Sequence, residues 1–224
     1  LILLNSPHNP TGKVFNQQEL SQIAKLAIEK DLLVITDEVY EHLVFDGQSH
    51  IPISTFPGMS ERTLTISSAA KTFGFTGWKI GWAHGPSELL SAVRIAKQFL
   101  TYVNGAPFQH AIAEALKLDE SYYINLALDM ANKRDILCEG LEKAGFEVFR
   151  PSGTYYATVD IRPLGDEDGI EFCWDLPNRC GVVAVPNEVF YDNKTIGKPL
   201  VRFAYCKRPE VLDHAVEKLL SLKA

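Results

Sequence analysis

Cysteine is scarce in this sequence: Cys138, Cys173, Cys180 and Cys206 lie far apart and form no C-x-x-C pair. Such spacing suggests neither a zinc cluster nor a disulfide framework, and a reducing cytoplasm suits it best. Long apolar runs are missing too. The opening Leu1-Ile2-Leu3-Leu4 is too short for a signal peptide or a membrane span, so no membrane partner is expected. Basic charge is in deficit, with 22 Lys and Arg against 28 Asp and Glu and a formal net charge of -6. No Lys/Arg cluster is dense enough to track phosphates, which argues against a nucleic-acid partner and leaves small molecules as the default. The six histidines show no H-E-x-x-H or His-x-His spacing, and none is assigned to a metal. An initiator methionine is also lacking. Leu1–Leu4 reads as a strand already in progress, so the expectation is that these 224 residues are the C-terminal portion of something longer.

What is present is ordinary globular material, 46% apolar and 22% charged. After the opening strand comes Asn5-Ser6-Pro7-His8-Asn9-Pro10-Thr11-Gly12, a loop stiffened by two prolines and closed by glycine; it is either a plain turn or a rigid platform for polar contacts. Asn16-Gln17-Gln18-Glu19 is a capping box, and apolar residues at helical spacing follow up to Lys30. Leu32–Thr36 is a strand apolar on both faces, ending at Asp37. Strand, helix and strand make a right-handed crossover. In open α/β sheets ligands gather beyond the carboxyl ends of the strands, where Asn5–Gly12, Asp37–Tyr40 and Ser67–Lys71 would lie.

A strand over Thr63–Ile66 delivers the chain to Ser67-Ser68-Ala69-Ala70-Lys71. Small residues beside Lys71 let something bulky approach its amine, as a Schiff-base lysine requires; taken alone it equally reads as a surface lysine in a Ser/Ala loop. Lys79–Ala83 is a further strand, antiparallel because the loop before it is short. Helices are expected over 87–100, 108–118 and 121–144, with Tyr102–Pro107 as a break between the first two. Strands over 146–149, 154–161, 182–185 and 200–205, a short helix over 170–178 and a last helix over 209–222 complete a smaller unit. Arg202 sits in an apolar strand where an unpaired guanidinium is costly to bury; it needs an anion nearby, or an edge facing water.

Together, Asn9-Pro10-Thr11-Gly12, Asp37-Glu38-Val39-Tyr40, Ser68-Ala69-Ala70-Lys71 with Gly77-Trp78-Lys79-Ile80-Gly81-Trp82, and Val201-Arg202-Phe203 resemble the class I aminotransferases, pyridoxal-phosphate enzymes of fold type I. The resemblance implies an α/β fold, with the C-terminal part of a large cofactor-binding domain over residues 1–130 and a small C-terminal domain over 131–224. It implies pyridoxal 5'-phosphate as cofactor and transfer of an amino group between an L-amino acid and a 2-oxo acid. Lys71 would be the Schiff-base lysine and the base for the α-proton, and Asp37 the partner of the pyridine nitrogen. Asn9 and Tyr40 would donate to the phenolate oxygen, Ser68 and Lys79 would meet the phosphate, and Arg202, with Asn9, would meet the substrate carboxylate.

Lysine at position 79, where many members carry arginine, keeps the charge without the fixed fork. Trp78 and Trp82 are expected in the core. Residues 102–107 are similar to a segment that approaches a neighbouring subunit, which implies a homodimer. The wording DEVYEHLVFDG from Asp37 to Gly47 is most similar to the kynurenine/glutamine aminotransferase branch, which includes N-succinyldiaminopimelate aminotransferases. Two alternatives stay open: a cysteine-conjugate β-lyase, and a non-catalytic effector-binding domain of aminotransferase type.

Overall fold

The computed structural model describes residues 1–223 and divides into two compact units. One comprises Leu1–Pro7 and Val14–Asn125; the other takes His8–Lys13 and the chain from Leu126 on.

The first unit is built on a four-stranded sheet of β1 (Ile2–Asn5), β2 (Val34–Asp37), β3 (Thr63–Ser68) and β4 (Gly81–His84), in that order. β1, β2 and β3 run parallel, and β4 returns antiparallel to β3 with Ser68 opposite Gly81. Helix α1 (Gln17–Glu29) starts from the capping box expected of it: Glu19 N–H donates to Asn16 Oδ1, and Asn16 N–H donates to the Glu19 carboxylate, both at 2.9 Å. Its Leu20, Ala24 and Ala27 meet Leu4, Val34, Ile53 and Met59 in one core cluster. Burying a side chain such as Leu20 contributes about 1.5–3 kcal/mol.

β3 passes directly into a single helical turn, α2 (Ala69–Thr72), which carries Lys71. Helix α3 (Ser87–Leu100) has no buried residue and leaves Val93, Ile95, Phe99 and Leu100 exposed. Helix α4 spans Ala106–Ala115. Pro107 therefore opens this helix, whereas it reads as part of a break in the sequence; its missing N–H is one the first turn leaves unpaired anyway. Trp78 and Trp82 pack against the small cluster of Ala69, Ile80 and Ile112.

Helix α5 (Glu120–Lys143) carries the chain onward. The second unit holds an antiparallel sheet of β5 (Glu147–Phe149), β6 (Tyr156–Asp160), β7 (Val185–Pro186) and β8 (Leu200–Ala204), ordered β5-β6-β8-β7. Besides the greater part of α5, the unit holds α6 (Gly169–Cys180), α7 (Lys194–Gly197) and α8 (Pro209–Leu220). The strand expected over 182–185 shrinks to Val185–Pro186, because Gly181 ends α6 in a left-handed turn and the ladder with β8 begins only at Val185. Pro186 is tolerated there because β7 is an edge. β8 is an inner strand, so Arg202 is not an edge residue facing water.

Candidate active site

In the first unit the polar residues gather where β1, β2 and β3 end. Asn5, the last residue of β1, donates from Nδ2 to the Asp37 carbonyl at 2.8 Å, and Ser6 N–H donates to the same oxygen at 3.1 Å. Those bonds fix the backbone of Asp37. Its half-buried carboxylate accepts the Val39 N–H at 3.2 Å and has no cationic partner among the described residues. Tyr40, three residues on, is 2% exposed, and its ring centre lies 5.9 Å from Lys71 Nζ. Lys71 is half-buried on α2, a turn held at its start by Ser68. Ser68 Oγ accepts the Ala70 N–H at 3.1 Å and donates to the Ile80 carbonyl at 3.3 Å.

The close approach of β4 to that turn needs a glycine. A Cβ on Gly81 would come within 2.8 Å of the Ser67 carbonyl. Lys79 precedes this point in a left-handed conformation, with its side chain exposed and no carboxylate partner among the described residues. Its carbonyl accepts from Asn104 Nδ2 at 2.8 Å. Behind Lys71, the Tyr122 hydroxyl donates to the Thr72 carbonyl at 3.0 Å, and Tyr123 stacks on His42 with ring centres 4.3 Å apart. Burial holds the His42 imidazole below the usual histidine range and His50 adds to that effect, although Glu41 opposes it.

In the second unit the loop His8–Lys13 is tied into a tight turn. His8 N–H donates to the Lys13 carbonyl at 2.8 Å, Gly12 N–H donates to the His8 carbonyl at 2.7 Å, and the His8 ring meets Thr11 Oγ1 at 2.7 Å. Gly12 has φ +70, and any Cβ there would collide with Pro151. Its carbonyl accepts from both Ser152 and Gly153 N–H. Burial also holds His8 below the usual histidine range.

This loop presents Asn9 to Arg202, whose Nη1 donates to Asn9 Oδ1 at 2.6 Å. The guanidinium carbon sits 4.0 Å from the Tyr156 ring centre and 4.7 Å from that of Phe190. Arg202 Nε is buried without a hydrogen-bond partner, and no carboxylate pairs with the side chain among the described residues. Beneath it, Thr158 Oγ1 donates to the Pro10 carbonyl at 3.2 Å and accepts from Asn187 Nδ2 at 3.1 Å.

The model of the family described as aminotransferase class I and II matches residues 1–219. This chain belongs to that family. A Mycobacterium tuberculosis protein described as a probable N-succinyldiaminopimelate aminotransferase is 50% identical over 97% of this chain and 57% of its own length. The kynurenine–oxoglutarate transaminase of Dictyostelium discoideum is 40% identical over 100% of this chain and 56% of its own length. The solved structure of N-succinyldiaminopimelate aminotransferase from Mycobacterium tuberculosis superposes with a TM-score of 0.95 at 52% identity, covering 98% of this chain and 57% of that one. The chain thus spans somewhat more than half the length of these aminotransferases. Its fold is that of the pyridoxal-phosphate transferases of fold type I, on which class I and II aminotransferases depend for their cofactor.

The structure brings Asp37, Tyr40, Ser68 and Lys71 to the ends of adjacent strands, and it joins Asn9 to Arg202 directly. Residues that sequence reasoning missed surround these two groups: Tyr156 and Phe190 on the guanidinium, Thr158 and Asn187 under the loop, and the buried pair Glu38–His50. Tyr156 and Thr158 carry a usable signal, since they alternate along β6 with Thr158 in register with Arg202. Phe190 and His50 carry none.

Proposed function

We propose that this chain carries the working residues of a pyridoxal-phosphate-dependent aminotransferase, which moves an amino group between an L-amino acid and a 2-oxo acid. The observation that carries the reading is a pair of unmatched charges: the Asp37 carboxylate has no cation, and Arg202 has an orphaned, buried Nε with no anion. An orphaned buried nitrogen on a cation is costly and a half-buried carboxylate without a counter-ion is open to one, so each points to a ligand that supplies its own partner.

The donor set fits pyridoxal phosphate on its chemistry. Lys71 offers the primary amine, Asp37 an anion for a ring N–H, Tyr40 a phenol close to that amine, and Ser68 and Lys79 a hydroxyl and an ammonium for a phosphate. When bound, the cofactor supplies an aldehyde that condenses with amines and a cationic ring that withdraws electrons from the substrate α-carbon. Asp37 would accept the ring N–H and keep that proton in place, because an adjacent anion favours the charged form. Tyr40 would donate to the cofactor's phenolate oxygen. Lys71 would be the base that takes the proton from the substrate α-carbon and moves it on, so that the amino group can leave that carbon. Arg202 grips the substrate carboxylate through parallel hydrogen bonds, with Asn9 as the neighbour that holds its Nη1 in place.

The relatives named as N-succinyldiaminopimelate and kynurenine–oxoglutarate aminotransferases support an amino-acid substrate and an enzymatic role over an effector-binding one. We further infer a homodimer, supported by the apolar exposure of α3 and of Tyr102 and Val103. We read the four unbridged cysteines as support for a cytoplasmic location. No helix among the described residues is long and apolar enough to cross a membrane.

Borohydride reduction of the cofactor-loaded full chain, followed by peptide mapping, tests the assignment. The pyridoxyl group is expected on Lys71. An adduct on another lysine, or none, overturns the reading, and a thiol released together with a 2-oxo acid in place of a new amino acid assigns β-elimination instead.

A further inference from the structure

Glu38 and His50 form a deeply buried pair of ionisable side chains in the first unit, with side chains 3% and 9% exposed. His50 Nε2 lies 2.7 Å from Glu38 Oε2, and the Thr36 hydroxyl donates to Glu38 Oε1 at 3.1 Å. Both carboxylate oxygens are therefore used. His50 Nδ1 is buried with no partner. A proton there would be an unsatisfied buried donor, so the ring that suits this site carries its proton on Nε2 and donates it to Glu38.

Side chains alternate along a strand, and Glu38 and Thr36 therefore leave the chain on the side opposite Asp37. The Glu38 backbone bridges the two strand ends that matter. Its N–H donates to the Ile66 carbonyl on β3 at 2.9 Å, and its carbonyl accepts the Glu41 N–H at 2.8 Å, closing the turn that contains Tyr40. His50 thus holds, through one side chain, the segment that presents both Asp37 and Tyr40. As a stability device the pair is poor, because a buried polar couple with an orphaned nitrogen gains little over an apolar pair of similar volume.

We propose that Glu38 and His50 are a positioning pair that sets cofactor affinity by fixing Asp37 and Tyr40. This rests on the reading of the site as one for pyridoxal phosphate. Neither residue is a catalytic residue, since each acts through the backbone of the Asp37–Tyr40 turn.

The test titrates pyridoxal phosphate into the cofactor-free full chain, following the absorption band of the bound cofactor, for the wild type, His50→Phe, His50→Asn, Glu38→Leu, Glu38→Gln and the double variant Glu38→Leu/His50→Phe. Phe fills the space without donating, and Asn is too short to reach the carboxylate. Both His50 variants are expected to raise the Kd by about tenfold or more, the scale on which outer-shell partners act. Glu38→Leu should match them, the double variant should be no worse than either single one, and Glu38→Gln, which still accepts the His50 proton, should stay near the wild type. Melting curves taken without cofactor separate a merely structural role, which lowers Tm and leaves the Kd of the folded protein unchanged. Wild-type uptake with unchanged Kd in whichever His50 variant folds overturns this proposal alone, as do effects that multiply in the double variant. A wild-type chain that takes up no cofactor overturns the functional reading, and this proposal with it.

Discussion

Arg202 offers the sharpest prediction, because the structure separates its part in binding from its part in folding. The side chain lies on an inner strand between two aromatic rings, with one hydrogen bond to Asn9 and one buried nitrogen unpaired. In the substrate-free protein this is a cost. Arg202→Met should therefore leave the unfolding free energy unchanged or raise it, since replacing a poorly satisfied, half-buried ion by an apolar side chain is often neutral or favourable.

Catalysis should respond in the opposite sense. Losing even one hydrogen bond between charged groups costs about 1.5–3 kcal/mol, so kcat/KM for an amino acid should fall by at least roughly 10- to 150-fold. Arg202→Lys should recover only part of that loss, because it keeps the charge but not the planar fork that stacks on Tyr156. The assay compares the first half-reaction of an amino acid with that of the primary amine lacking its carboxylate. The amino acid should lose most and the amine little. Equal losses on both substrates would refute the reasoning, for the arginine would then be serving the fold or the cofactor.

Further outcomes follow from the same geometry. Gly81→Ala forces a methyl group against the Ser67 carbonyl and should destabilise the first unit by about 1–3 kcal/mol, read from the urea midpoint. His8 and His42 are both held below the ordinary histidine range by burial, so below about pH 6.5 the unfolded chain binds protons that the folded chain refuses. Stability should be full above that pH and fall as the pH drops towards the depressed values. His8→Gln should flatten the fall, and an identical slope in that variant would count against the argument. Burial pushes the Cys138 thiol up to about 12, so alkylation of the native protein near pH 8 should reach exposed Cys206 first and Cys138 only after unfolding, as peptide mapping would show. Asn187→Leu removes the donor to Thr158 beneath the Asn9 loop, and KM for the amino acid should rise with little change in kcat if that network serves carboxylate binding.

Much of this was legible in the chain because local chemistry decided it. The capping box at Asn16 and Glu19 names the start of α1 whatever surrounds it. The apolar run ending at Asp37, the small residues before Lys71 and the short loop before β4 likewise report strand ends and an antiparallel return without tertiary help. Pro107 reads in the sequence as part of a break and yet opens α4, since one residue type both ends and opens helices and only the fold shows which.

Tertiary structure decided what depends on partners far apart in sequence. No local pattern reveals that residues 8–13 are grouped with the chain from Leu126 on, because that depends on Thr158, Ser152, Gly153 and Arg202, each more than a hundred residues away. Nor does any pattern show that Arg202 lies between Tyr156 and Phe190 with a nitrogen left over, or that Glu38, next to the residue the motif singles out, turns the other way to meet His50. The residue types and their order were enough to name the family, because motifs record which functional groups are present. Where those groups point, and which of them lack partners, is set by packing between distant segments, and that only the folded chain decides.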